Sequence, residues 1–110
     1  MADLEEFGDP AELKRLIDEQ ERPYYLVDVR SAEEVAEGVI PTARHIPLYL
    51  IGVQPPTDDR DALIVLYCHS GGRSAFAKRE LESRGYRNVE NFGGVIHWPY
   101  DLVELESDNG

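Results

Sequence analysis

A chain of 110 residues with 42% hydrophobic content is long enough for one hydrophobic core and too short for two. Its 22 acidic against 11 basic residues give a formal charge of −11, which opposes binding to phosphate backbones, an affinity carried by clustered Lys and Arg; no nucleic-acid partner is expected. One cysteine rules out an internal disulfide and a Cys-x-x-Cys metal or redox pair, so neither metal nor cofactor is expected, and any reaction begun at Cys68 must be completed by a group on another molecule.

Residues 1–9 hold no basic residue and no apolar run, so they do not read as a secretory signal. No segment approaches membrane-spanning length, and a cytoplasmic protein without a membrane partner is expected. Asp9, Pro10 and Glu12 form an N-cap, a first-turn proline and an N3 acid ahead of Leu13, Leu16 and Ile17, which share one helical face; this helix is expected to end near Gln20. After Pro23, residues 24–29 are rich in aromatic and branched side chains and predict a short buried strand, with Asp28 and Arg30 at its exit. Ser31 and Glu34 are spaced as a capping box for a two-turn helix that Gly38 would stop.

Pro41 and Pro47 bracket a second short strand over 43–46, and residues 52–61, with Pro55 and Pro56, predict an exposed loop able to rim a pocket. Residues 62–67 read ALIVLY, the most continuous apolar run, as in a central parallel strand buried on both faces. Cys68 follows directly, then Gly71 and Gly72, then a helix over about 73–84 with Gly85 as its stop. Residues 88–92 predict a last strand, Gly93 and Gly94 a tight turn, and 95–105 a final helix interrupted near Pro99. Alternating strands and helices indicate an α/β three-layer sandwich, a mainly parallel central sheet flanked by helices, in one domain over 1–110 with a loose acidic tail at about 106–110.

The segment Cys68, His69, Ser70, Gly71, Gly72, Arg73, Ser74 lies between the most buried strand and a helix N-terminus, where such sheets place their sites. A free thiol has a pKa of roughly 8.5, but converging backbone N–H groups, the helix dipole and a nearby guanidinium all favour the thiolate. The two glycines permit the positive φ that gathers N–H groups into an anion cradle. Arg73 offers planar donors to a sulfur oxyanion, and the Ser70 or Ser74 hydroxyl a further hydrogen bond; His69 adds charge when protonated or faces solvent. The competing reading is an inert core thiol, cysteine being among the most buried residue types. The glycine pair and Arg73 favour a reactive one, because a structural cysteine needs no anion cradle beside it.

These residues resemble the rhodanese-like sulfurtransferases, specifically the short single-domain, thiosulfate sulfurtransferase-like type, over nearly the whole chain. Asp28-Val29-Arg30 is similar to that family's Asp-x-Arg; Glu34, Gly38, Ile40, Pro41, Ala43, Ile46 and Pro47 follow its next segment. Cys68, Gly71, Arg73 and Ser74 fit its Cys-x-x-Gly-x-Arg-Ser loop, and Gly93, Gly94 and Trp98 its closing motif. Val39 stands where the family usually has histidine and Thr42 where it usually has glycine, which bears on local packing and the turn after Pro41. The resemblance implies an enzyme that takes a sulfane sulfur from a small anionic donor such as thiosulfate onto Cys68 and passes it to a thiol or cyanide. No cofactor is implied.

Asp28, Arg30 and Glu34 are expected to be structural, with Glu34 a partner for Arg30. His45 and His97 lack a third ligand at metal-like spacing. The cysteine phosphatases, with five residues between cysteine and arginine where this chain has four, rank low, since a shorter ring of N–H groups suits a single sulfur and not a tetrahedral phosphate. The alternatives are a sulfur relay fed by a protein donor or serving a protein acceptor, and a non-catalytic interaction module.

Overall fold

The computed structural model describes residues 5–105; the expected acidic tail at 106–110 lies outside them. After a 3-10 turn at Glu6–Gly8, α1 spans Pro10–Glu19. The Asp9 side chain caps it by accepting the Ala11 N–H, Pro10 opens it without wasting a donor, and Gln20 closes it in the left-handed conformation at φ 48°. Then follow β1 (Tyr25–Asp28), α2 (Ala32–Val35), β2 (Arg44–His45), β3 (Leu63–Cys68), α3 (Gly72–Ser83) and β4 (Asn88–Gly94), with 3-10 turns at Leu48–Leu50 and Val95–His97. Both halves of the Ser31–Glu34 capping box are present at the start of α2.

The four strands pair in the order β2-β1-β3-β4, all parallel. Every residue of β3 is buried, and its side chains alternate between two apolar layers. Leu63, Val65 and Tyr67 pack with Leu13, Leu16 and Ile17 of α1 and with Phe92 and Trp98; Ile64, Leu66 and Cys68 pack with Ala77 and Leu81 of α3. The expected three-layer α/β sandwich is therefore the observed one. Full burial of an aliphatic side chain contributes roughly 1.5–3 kcal/mol, so β3 is heavily anchored on both faces. Its alternation also decides which way the cysteine points, because Cys68 continues the Ile64–Leu66 row that lies against α3.

Two sequence expectations fail after β3. Gly93 and Gly94 are not a tight turn; they complete β4, opposite Tyr67 and Cys68, after a bulge that shifts the register between Leu66 and Tyr67. Residues 95–105 hold no α-helix either. Pro99 cannot continue one and biases Trp98 to an extended conformation (φ −89°, ψ 111°), and beyond it Val103 forms an antiparallel bridge with Val39 through two backbone hydrogen bonds of 2.8 and 2.9 Å. Trp98 meanwhile stacks edge-on against Phe92 and Tyr100 and donates its indole N–H to the Asp101 carbonyl.

That bridge accounts for one family departure, since Val39 is buried under the returning chain. Thr42 accounts for the other: its φ of 77° is a conformation that favours glycine, and a β-branched residue held there is strained by roughly 1–3 kcal/mol. Its hydroxyl has a partner in the Tyr24 hydroxyl at 3.0 Å.

Candidate active site

The carboxyl ends of β1 and β3 lie side by side, with Asp28 opposite Tyr67 and the Val29 N–H donating to the Tyr67 carbonyl. At the β1 exit the Asp28 carboxylate, fully buried, accepts three hydrogen bonds of 2.7–3.0 Å from the Arg30 guanidinium and a fourth from the Arg30 N–H. Arg30 also donates to the Gly38 carbonyl, and the His45 Nε2–H donates to the Arg30 carbonyl at 2.7 Å. The Tyr67 hydroxyl accepts from the Ile40 N–H at 3.0 Å, and burial, with the Asp28 charge beside it, holds that phenol protonated well above its ordinary range. Asp28 and Arg30 thus form a closed unit that stiffens the floor beside Cys68. Glu34 takes no part in it, contrary to the expected Arg30–Glu34 pair.

At the β3 exit, α3 begins after Gly71, whose φ of 117° turns the chain and which has no side chain to cap the helix. The first N–H groups of any helix lack an intrahelical partner, and here the Cys68 sulfur supplies one. Sγ accepts from the Gly71 N–H at 3.0 Å and from the Ser74 N–H at 3.4 Å. The Ser74 hydroxyl lies 3.4 Å from Sγ and 3.2 Å from both the Gly71 and Gly93 carbonyls. With one proton to give, it can serve a carbonyl while Cys68 is a thiol and rotate to the sulfur when it ionises. Burial pushes the thiol pKa up, but the Ser74 hydroxyl and the Ser74, Gly71 and Arg73 amides outweigh it, so the pKa lies below the ordinary cysteine value.

Cys68 itself is only 1% exposed, whereas His69, Ser70 and Gly72 above it are exposed. Ser74, not Ser70, supplies the hydroxyl at the sulfur. Gly71 alone has the expected positive φ; Gly72 is an ordinary first residue of α3 with open space where a Cβ would stand. Arg73 is not the unpaired cation expected beside the loop, because its two terminal nitrogens bind the Glu34 carboxylate at 2.7 and 2.9 Å. Glu34 also accepts from the Ser31 N–H and hydroxyl at 3.0 Å. The guanidinium first of all, and those Ser31 donors, hold its carboxyl well below the usual range against the opposing effect of burial.

The end of β4 closes the site. A Cβ on Gly94 would stand 2.0 Å from the His69 carbonyl oxygen and 2.5 Å from the Ser70 Cα, so only glycine lets the strand lie this close beneath the loop. The Ile96 N–H donates to the His69 carbonyl at 3.2 Å. Asn91 Oδ1 accepts the Gly93 N–H at 2.9 Å, bracing the bulge. Asn91 was not singled out from sequence, although asparagine inside a strand, where it is disfavoured, was the available signal. Pro55 and Pro56 do line a groove, with Pro41, Arg44 and Val103, but at the β2 edge and without any residue of 68–74. Among the described residues no helix is long and apolar enough to cross a membrane, and no three His, Cys, Asp or Glu side chains are grouped to hold a metal.

The family model described as a rhodanese-like domain matches residues 9–98. A sulfurtransferase of Allochromatium vinosum is 40% identical over 86 residues, covering 77% of this chain and 80% of that one. The thiosulfate sulfurtransferase PspE of Escherichia coli is 34% identical over 71 residues, covering 63% and 68%. The crystal structure of a rhodanese-like domain protein from Staphylococcus aureus superposes with a TM-score of 0.75 at 34% identity, covering 89% of this chain and 95% of that one.

Proposed function

The chain belongs to the rhodanese-like domain family, and from that premise we propose that it is a sulfurtransferase whose Cys68 carries the sulfur. Its thiolate attacks the outer sulfur of a donor such as thiosulfate; the S–S bond breaks, its electron pair leaves on sulfite, and a Cys68 persulfide remains. A thiophilic acceptor, a thiol or cyanide, then attacks the outer sulfur and returns Cys68 to the thiolate. The observation that carries this reading is the set of donors aimed at Sγ: the Gly71 and Ser74 N–H groups and the Ser74 hydroxyl.

An inert core thiol needs none of these donors, whereas a nucleophile that must be anionic before and after each transfer needs all of them. The buried sulfur lies beside the exposed His69, Ser70 and Gly72, and with no second cysteine in the chain the persulfide must be discharged by an outside acceptor. Intact-protein mass spectrometry after thiosulfate treatment tests the proposal. Wild type is expected to gain one sulfur atom, about 32 Da on the covalent scheme, and to lose it to cyanide, and Cys68→Ser to gain none. Loading of Cys68→Ser, or failure of wild type to load from any sulfane donor, overturns it.

A further inference from the structure

Resting on the proposed transfer at Cys68, we infer that Glu34 is a specificity-determining positioning residue: by neutralising Arg73 it disfavours the thiosulfate dianion and directs the site toward an organic persulfide donor carrying at most one negative charge. Arg73 is the one guanidinium between Cys68 and Ser74, and both of its terminal nitrogens are spent on the two oxygens of one carboxylate. A bidentate pair of this kind fixes the plane of the guanidinium and offsets its charge, so the fork between its two terminal nitrogens is closed to an incoming oxyanion.

The carboxylate is held independently. Ser31 fastens it through N–H and hydroxyl as part of the α2 cap, contacts that do not depend on Arg73. Arg30, the other arginine at this end of the sheet, is buried against Asp28, and Arg79, farther along α3, lies over the Phe76 ring at 4.7 Å. Phe76, one turn beyond Arg73 on α3, and Ile96, hydrogen-bonded to the loop, are 61% and 56% exposed. Two exposed apolar side chains thus flank the loop, within a chain of net charge −11.

Charge bookkeeping separates the donors. With thiosulfate, a thiolate meets a dianion, and three negative charges are shared until sulfite departs with two of them. With a persulfide R–S–SH, the thiolate attacks the outer sulfur, the S–S electron pair leaves on RS⁻, and the proton stays on the new Cys68 persulfide; one negative charge is present throughout. Amide donors and a serine hydroxyl can stabilise one such charge. Three call for a neighbouring cation, and Glu34 offsets the charge of the one guanidinium in the loop.

Methanethiosulfonate is a stable probe because it breaks the same kind of S–S bond, releasing a sulfinate, with one charge fewer than thiosulfate. The measurement is kcat/KM for both donors, with cyanide as acceptor, in wild type, Glu34→Gln and Glu34→Asp. Glutamine can keep the cap to Ser31, since Glu and Gln both serve at that position, while leaving Arg73 its charge. Glu34→Gln should reduce the preference for methanethiosulfonate about tenfold, chiefly by lowering KM for thiosulfate. Glu34→Asp, which keeps the charge, should hold the wild-type ratio. Added salt should relieve discrimination against thiosulfate in wild type more than in Glu34→Gln. An unchanged ratio in Glu34→Gln, or an equal loss for both donors, overturns the inference and leaves the transfer at Cys68 standing; loading of wild type by neither donor overturns both.

Discussion

Arg30 follows β1 and Arg73 follows the loop after β3, and both guanidiniums end against a carboxylate at the same end of the sheet. The Arg30–Asp28 pair is closed off, its side chains 5% and 0% exposed; the Arg73–Glu34 pair is about one-third exposed on both sides. Removing one partner of the buried pair strands a charge with no water to receive it, which costs far more than the pair is worth intact. Water can receive either partner of the open pair, so it adds little to stability, and its charge balance is left to influence what approaches the sulfur. Equivalent chemistry at adjacent strand ends thus acts as framework in one place and as tuning in the other, and depth of burial decides which.

The largest effect should come from breaking the framework. Asp28→Ala is expected to lose about 3–5 kcal/mol of unfolding free energy, read as a lowered urea midpoint, while Arg73→Ala should lose less than about 1 kcal/mol. Equal losses would erase the distinction between the two pairs. Next is the seam beneath the loop: Gly94→Ala should leave the protein folded by far-UV circular dichroism but reduce sulfur loading by at least about tenfold, because a Cβ there displaces the His69 carbonyl and the amides that follow it. Gly72→Ala, where a Cβ meets open space, should stay within about 0.5 kcal/mol of wild type and load normally.

The smallest effect concerns the proton on the sulfur. The Ser74 hydroxyl helps to keep the Cys68 pKa below its ordinary value, so the thiolate, and with it the loading rate, appears at lower pH than for a free cysteine. Ser74→Ala should move the rise of that pH profile upward by about one unit, with little change in its plateau. A profile that does not move would assign the depression to the amides alone.

Local signals were legible in the sequence wherever one element contains its own cause. Asp9 with Pro10 and Ser31 with Glu34 start the helices they were expected to start, and the run 62–67 overlaps the buried central strand, which begins one residue later at Leu63 and ends one later at Cys68. The order of cysteine, glycine and arginine likewise led to the loop whose amides converge on sulfur. What stayed hidden depends on pairings across the fold. Sequence spacing pairs Glu34 with Arg30, four residues away, whereas its partner is Arg73, because chain proximity says nothing about which arginine the sheet brings near. The glycine pair at 93–94 reads as a turn unless the β4 bulge is known, and a bulge is a property of strand register. Residues 95–105 carry helix-compatible side chains, but Pro99 and the bridge from Val103 to Val39 override them.

The contact between Gly94 and the His69 carbonyl has a consequence for transplantation. The shape of the cysteine loop is moulded from below by a strand that the chain reaches only later, so segment 68–74 is half of a mould. Grafted by itself into a foreign scaffold, it would keep its cysteine and lose its curvature; the recipient would also have to end a neighbouring parallel strand in a residue with no side chain.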